Sequence, residues 1–373
     1  MSDITNIFPN KAQFDEMNGY LSILAGVGNA KLLDAYAVQR AIRNGTIQNI
    51  LSVGDFFTVG RNGTNWLFQV AAFDYDVPVD PNYTHSMRLL MYPCFANVVF
   101  DAREAIFYAE TELAAGTYWF ADSRAGKYAS FTLAQAVPAG GQIVLTGYGT
   151  RPDYTLTSLA TYASQTATDA AETAAITVSD TAPSEGTQLT TVNDGNRLRW
   201  GSNNWLQSAI RQWLNSDAES GWWTPGNPYD RPQSSPADGF LHGIDEDLLA
   251  CVGKVRLRTG VNPADHEGTY GYSDNEERIF LPSRTEMGLG NYNSVMETPV
   301  AADGTAATDT LPLFTGDADR IKYLNGVARY WWLRSPYPYA SNVSNTYSAS
   351  LDGTLSYSGA WNAYGAVPAC VIY

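Results

Sequence analysis

The sequence predicts an α+β fold dominated by strands, and three observations carry that prediction. Near the N-terminus apolar residues recur at helical spacing. From Ile50 onward the pattern changes to short β-type runs. Tight-turn dipeptides punctuate those runs at Asn62-Gly63, Asp352-Gly353 and Ser358-Gly359.

Residues 10–45 read as helical. Phe14, Met17, Leu21 and Leu24 share one face, Gly26 and Gly28 interrupt it, and Leu32, Leu33, Tyr36, Ala37 and Ala41 resume it up to Asn44-Gly45. The segment 1–48 is therefore expected to serve attachment or oligomerisation, with packing on its own domain as the alternative. Phe56 to Val59, the turn at Arg61-Asn62-Gly63 and Trp66 to Val70 read as a hairpin, and Met87–Met91 and Asn97–Phe100 continue as strands. Short strands at 105–108, 116–120, 128–133 and 142–145 suggest a small β-sandwich over 103–190. The Thr/Ala/Ser-rich stretch 155–192 reads as late strands or a linker. Ser202 is placed as the cap of a helix through Trp205, Leu206, Ile210, Trp213 and Leu214. Residues 220–240 and 286–320 read as loops, and 329–373 as β structure.

Composition excludes several classes of function. The net charge is −15, which argues against nucleic-acid binding and against an anionic membrane surface. No apolar run approaches membrane-spanning length, and the start of the chain lacks the pattern of a secretory signal. Synthesis in a cytoplasm is thus expected. The three cysteines, Cys94, Cys251 and Cys370, fit neither a zinc site nor a redox pair, so buried free thiols are expected. The aromatic content of 13% includes 23 Tyr, more than core packing usually requires.

Few constellations suggest chemistry. His242 with Asp245 and Asp247 has the makings of a metal site, but acids at a helix start explain them more simply. Asp274, Glu276 and Glu277 cluster in an apparent loop, and a glycosidase pair drawn from the 265–277 acids is the enzymatic alternative. Gly26-Val27-Gly28 lacks the context of a phosphate loop, and no GxSxG occurs. No catalytic residue, metal or cofactor is expected.

Several segments resemble a family of C-type-lectin-fold domains found in gut bacteria and their phages, which includes ligand-binding proteins diversified by retroelements. Tyr330-Trp331-Trp332-Leu333-Arg334-Ser335-Pro336 is similar to the family's WWLRSP opening. Leu351-Asp352-Gly353-Thr354-Leu355 resembles its hairpin turn, and Gly365 to Ile372 its GVRPAxxI ending, with Val367 where the family often has Arg. Asn203 to Asn215 resembles its helix, and Ile279-Phe280-Leu281-Pro282-Ser283 the strand before its long loop. The resemblance implies a C-type-lectin-like domain built from 49–102 and 191–373, with 103–190 inserted. Trp331 and Trp332 read as core anchors, and Arg334 as a structural partner for a carbonyl or carboxylate. Calcium-dependent sugar binding is not expected, because the EPN, QPD and WND signatures are all missing.

Between the anchors, residues 337–366 hold five Tyr, six Ser, three Asn and five Ala but no Lys, Arg, Glu or His. This is the palette of antibody loops, and it also matches the output of adenine-directed mutagenesis of Asn-type codons. The expected ligand-binding residues are Tyr337, Tyr339, Ser341, Asn342, Ser344, Asn345, Tyr347, Ser356, Tyr357, Ser358, Trp361, Asn362 and Tyr364. Trp361 reads equally as a ligand anchor or a core ring, and an ordinary polar hairpin is the plain alternative for the whole segment. The resemblance implies a non-enzymatic adhesin on a phage virion, tail or capsid. It would be a homo-oligomer such as a trimer, attached to other virion proteins and recognising a host-surface protein or glycan. The alternatives are a bacterial surface protein of the same fold, a structural decoration protein of the virion, and the glycan-processing enzyme above.

Overall fold

Asp34 opens the first helix by accepting a hydrogen bond from the Ala37 amide at 2.9 Å, and Asn44 and Gly45 close it. The computed structural model describes residues 34–101, 106–108, 111–122, 127–139, 142–146, 158–162, 178–179, 187–188, 201–219 and 238–373. The helical pattern expected over 10–33, most of the stretch 155–192 and the loop at 220–237 lie outside the described residues. This helix, α1 (Ala35–Arg43), buries Ala35, Ala37, Val38, Ala41 and Ile42 in the main core. Gln39 and Arg43 donate to the Tyr373 carbonyl at 2.8 and 3.1 Å. The described part of the N-terminal segment thus packs on its own domain.

Strands β1 (Phe56–Arg61), β2 (Thr64–Phe73), β3 (Met87–Met91) and β4 (Asn97–Val99) follow. Next come β5 (Ile106–Tyr108), β6 (Gly116–Asp122), β7 (Lys127–Leu133), β8 (Gln142–Thr146), β9 (Ser158–Tyr162), β10 (Val178–Ser179) and β11 (Thr187–Gln188). The C-terminal half holds α2 (Ala209–Leu214), α3 (Glu246–Cys251), β12 (Val252–Gly253), β13 (Val255–Val261), β14 (Gly271–Glu277), α4 (Asp317–Arg320), β15 (Lys322–Leu324) and β16 (Val327–Arg329). It ends with β17 (Trp331–Pro336), β18 (Asn345–Ala349), β19 (Leu355–Gly359), β20 (Ala363–Gly365) and β21 (Ala369–Ile372). The fold is mixed α+β, mostly strands with a few short helices, as the periodicity predicts.

Two five-stranded sheets interleave the two ends of the chain. One has the order β1-β2-β3-β21-β12 and the other β19-β18-β17-β20-β4. The C-terminal strand pairs with β3, placing Cys370 opposite Leu89, and β20 pairs with β4, placing Gly365 opposite Asn97. Residues 56–99 and 252–372 therefore build the same two sheets. The intervening strands form sheets of their own, β10-β6-β7-β11 and β5-β8-β9.

Trp331, Trp332 and Trp205 are among the largest fully buried side chains, and their indole N–H groups are all satisfied. They donate to the Arg320 carbonyl, the Val98 carbonyl and the Glu277 carboxylate, respectively. A buried indole needs such a partner, because an unmatched donor costs roughly 1–3 kcal/mol. Val367 is fully buried, so an apolar residue fills the position where the resembled pattern often carries Arg.

Some local expectations need correction. The expected helix from Trp205 to Leu214 is a 3-10 turn at Trp205–Gln207 followed by α2, because Ser208 breaks the turn and caps α2. Asn204, not Ser202, caps the turn, while the Ser202 hydroxyl accepts from the Asn204 amide at 3.2 Å. The apparent loop around Asp274 is strand β14, paired residue by residue with β13. All three cysteines are buried and free.

Candidate ligand-binding face

β18 and β19 are joined by the turn at Asp352-Gly353. Gly353 has φ +84°, and a Cβ there would overlap the Asp317 carbonyl oxygen, so only glycine fits. Asp352 accepts from the Ser350 and Thr354 hydroxyls, which lowers its carboxyl to about 2. The register places Tyr347 opposite Tyr357 and Asn345 opposite Gly359. Side chains alternate along a strand, so Tyr347 and Tyr357 share one side of the sheet while Ser356 and Ser358 lie on the other.

On the tyrosine side the rings form a continuous cluster. Tyr337 lies 4.2 Å from Tyr357, 5.5 Å from Tyr347 and 5.3 Å from Tyr339, centroid to centroid. Tyr339 continues to Tyr292 at 6.2 Å, and Tyr292 to Tyr270 at 5.2 Å. Tyr339 and Tyr357 are each 52% exposed, and Tyr337 and Tyr292 are half-buried. Tyr347 is buried beneath them, with the Arg284 guanidinium 4.5 Å over its ring.

Two buried amides hold the backbone that carries these rings. The Asn262 side chain donates to the Tyr337 and Tyr339 carbonyls at 2.8 and 3.1 Å. Asn203 donates to the Asn345 and Asn342 carbonyls at 2.8 and 3.1 Å. Beneath them, Glu297 accepts from the Tyr270 hydroxyl at 2.9 Å and the Ser335 hydroxyl at 2.6 Å. Burial raises the Glu297 carboxyl above its ordinary value, although Ser335, Arg334 and Tyr270 all oppose that rise. Desolvation, followed by the neighbouring Tyr357 hydroxyl, pushes Tyr337 up to about 12. At neutral pH the Tyr337 hydroxyl therefore stays neutral and can both donate and accept.

The thirteen expected residues do not form one surface. Tyr337, Tyr339 and Tyr357 come together, with exposed Ser341 and half-buried Asn342 and Asn345 on the adjoining loop and strand. Ser344 and Tyr347 are buried, each 7% exposed, and support the face from below. Ser356, Ser358, Asn362 and Tyr364 belong to the other side. There Asn362 donates to the Ser358 hydroxyl at 2.8 Å, and Tyr364 stacks on Trp332 at 4.6 Å and on Tyr330 at 5.2 Å. Trp361 is half-buried and folds over Gly359, whose missing Cβ makes room for the ring.

Tyr292, Asn203 and Asn262 are the residues that sequence reasoning missed in this role. Tyr292 sits in the stretch read only as a polar loop, and nothing local distinguishes it. Asn262 precedes Pro263 and caps a 3-10 turn, a visible signal for a cap but not for its second task of holding the loop.

The clustered carboxylates of the enzymatic alternative lie on strand β14, Asp274 and Glu276 on one side and Glu277 on the other. Asp274 is exposed and forms a two-pronged pair with Arg258, at 2.7 and 2.8 Å. Glu276 is also exposed, whereas Glu277 is buried and accepts from Arg211 and Trp205. Asp245 caps α3 by accepting from the Leu248 amide at 3.0 Å, and His242 contacts the Asp217 carbonyl. Asp274, Glu277, Asp245 and His242 thus each hold a structural contact.

Among families of known proteins, one described as a domain of unknown function, DUF6273, matches residues 187–373. Neither a curated protein nor a solved structure matches the chain.

Proposed function

We propose, for a chain that belongs to the DUF6273 family through residues 187–373, that it is a non-enzymatic binding protein whose tyrosine face recognises a ligand. One observation carries this reading. Tyr339 and Tyr357 stand 52% exposed on a contiguous ring cluster whose backbone is fixed by buried amides. Tyrosine supplies large contact area and a hydrogen-bonding hydroxyl at low rotamer cost. A prefixed backbone avoids much of the ordering penalty of binding. The Ser and Asn side chains alongside add adaptable hydrogen bonds.

The WWLRSP-like strand and the ending at Gly365–Ile372 support a C-type-lectin-like assignment for the domain built from 49–102 and 191–373. That resemblance makes a phage virion adhesin, directed at a host-surface protein or glycan, the preferred biological setting. Homo-oligomerisation would add avidity to individually weak contacts.

The test is adhesion of the fluorescently labelled full chain to a panel of gut bacterial strains, read by flow cytometry. Binding to a subset of strains, reduced roughly tenfold by Tyr339→Ser with Tyr357→Ser at unchanged melting temperature, is the expected result. Binding that survives the double substitution would remove the tyrosine face from the mechanism. Sequencing the 3′ end of the gene in a propagated population then separates a diversified face from a fixed one.

A further inference from the structure

A concave site lies beside the β4 edge of the same sheet. It is a cleft of about 540 Å³ floored by Trp66, Leu67, Phe95 and Leu324 and rimmed by Asn65, Asn97 and Asn325. Asn97 belongs to β4, one edge of the sheet β19-β18-β17-β20-β4, while Tyr357 belongs to β19, the opposite edge. Four strand spacings separate the two edges, about 19 Å. The cleft is therefore distinct from the tyrosine face.

We propose that this cleft binds a neutral pyranose sugar. Its floor holds two contacting aromatic rings tilted 40° to each other. Trp66 and Phe95 pack at 4.7 Å, and Phe95 is held from behind by Phe240 at 5.2 Å and Trp213 at 5.7 Å. The Arg61 guanidinium lies 4.9 Å from the Phe95 ring and is committed to the Phe240 and Gly239 carbonyls. Such a floor suits the C–H face of a sugar ring, which is apolar and slightly positive against the ring π-cloud.

The rim supplies the other half of the recognition. Asn65, Asn97 and Asn325 are exposed, and among the described residues none of their side-chain amides has a hydrogen-bond partner; the Trp66 indole N–H is also uncommitted. Each amide offers a donor pair and an acceptor, the set that meets vicinal hydroxyls. Their positions are fixed by backbone. Asn65 pairs with Gly60 across the first hairpin, Asn97 pairs with Gly365, and Asn325 has φ +51° in the turn between β15 and β16.

The remaining lining narrows the ligand class. Leu67, Pro93, Cys94, Ala96 and Leu324 carry no charge, so nothing in the lining favours an ionic sugar. Burial pushes the Cys94 thiol up to about 12, which keeps it neutral and makes the site non-covalent. A wholly apolar ligand would strip water from three amides without replacing it, a cost a polyhydroxylated ring avoids. The volume lies within the usual range for small-ligand sites.

Saturation-transfer NMR on the full chain, with methyl β-D-glucopyranoside, methyl β-D-galactopyranoside and methyl α-D-mannopyranoside as probes, tests the assignment. Transfer to the ring protons of at least one glycoside is expected, with affinity reduced roughly tenfold by Trp66→Ala. The double variant Asn65→Ala with Asn97→Ala changes only exposed side chains, so it decides the matter if the Trp66 variant fails to fold. It should weaken binding by about fivefold at unchanged melting temperature. Tyr357→Ala should leave this binding intact even if it abolishes adhesion. No transfer to any of the three glycosides, or transfer undiminished in the double asparagine variant, would overturn the cleft assignment. Loss of transfer in Tyr357→Ala alone would relocate the sugar to the tyrosine face and overturn it too.

Discussion

Arg334 donates to the Glu286 carboxylate at 2.5 Å, with both side chains fully buried. Arg88 donates to the other Glu286 oxygen at 2.7 Å and also pairs with Asp76. Two guanidinium groups and two carboxylates thus alternate in a net-neutral chain that ties β3 to β17, one strand from each five-stranded sheet. Arg334 further donates to the Leu281 and Glu297 carbonyls at 2.8 and 3.1 Å. This is the structural partnership expected of the arginine in the WWLRSP-like strand.

Neutralising the centre of that chain should be costly. Glu286→Gln keeps the shape but leaves Arg334 without its only carboxylate partner among the described residues and Arg88 with Asp76 alone. The expected loss is roughly 3–5 kcal/mol in urea unfolding. Burial raises the Glu286 carboxyl, but Arg334 and Arg88 outweigh it and leave the group below its ordinary value of 4.5. A depressed folded value contributes stability that is present above pH 4.5 and lost as pH falls through the folded value. The difference between wild type and variant should therefore shrink on acidification below pH 4.5 and stay flat above it.

Lys322 presents the opposite case. It is 1% exposed, with Nζ 5.2 Å from the Tyr92 ring and 5.9 Å from the Phe314 ring, and it has no salt bridge among the described residues. Burial lowers it from 10.5 to about 8, despite the opposing pull of Cys94 and Asp319. The unfolded chain binds this proton more tightly, so the charge destabilises the fold fully below pH 8 and the penalty fades as pH rises to 10.5. Lys322→Met fills similar volume without charge. It should stabilise the protein by roughly 1–3 kcal/mol at pH 7, and the gain should diminish between pH 8 and 10.5 in parallel melts.

How much of this was legible depends on the range of the interaction. The first hairpin, the helix end at Asn44-Gly45 and the Asp352-Gly353 turn all follow from local chemistry, and each appears where its residues imply. The aromatic anchors Trp331 and Trp332 were readable from their apolar run. Composition groups Ser356 and Ser358 with Tyr357, but one residue of offset along β19 reverses the side each faces. Tyr292, Asn203 and Asn262 reach the face only through tertiary packing, and no local pattern announces that. Likewise, the family match begins at residue 187, yet its sheets are completed by β1 to β4, supplied by residues 56–99.

Gly353 gives a sharp test of the turn that aligns the two face strands. Its φ of +84° and the Asp317 carbonyl at the site of a Cβ together forbid a side chain. Gly353→Ala should cost about 2 kcal/mol or more, by combining backbone strain with a steric clash. Asp352→Ala at the exposed neighbouring position removes hydroxyl contacts but no buried group, so its effect on the melting temperature should be the smaller of the two.

Asn262 separates holding the face from being the face. Its side chain contacts the Tyr337 and Tyr339 carbonyls, and its Oδ1 accepts from the Ala264 amide at 2.9 Å, so it cannot itself present an amide to a ligand. It is 1% exposed. Asn262→Asp retains the acceptor toward Ala264 but replaces the donors with a charge facing two carbonyl oxygens. The segment from Tyr337 to Asn345 should then loosen while the strands beneath it stay closed. Hydrogen exchange should show faster deuteration of the Tyr337 and Asn345 amides, with β13 and β17 unchanged. If the tyrosine face binds as a preorganised surface, adhesion should fall through a slower or weaker capture even though every exposed ring remains, because the ordering cost moves into the binding step. Full adhesion in a variant with fast loop exchange would show that the rings act without a fixed backbone. That outcome would replace preorganisation with adaptation as the physical basis of recognition.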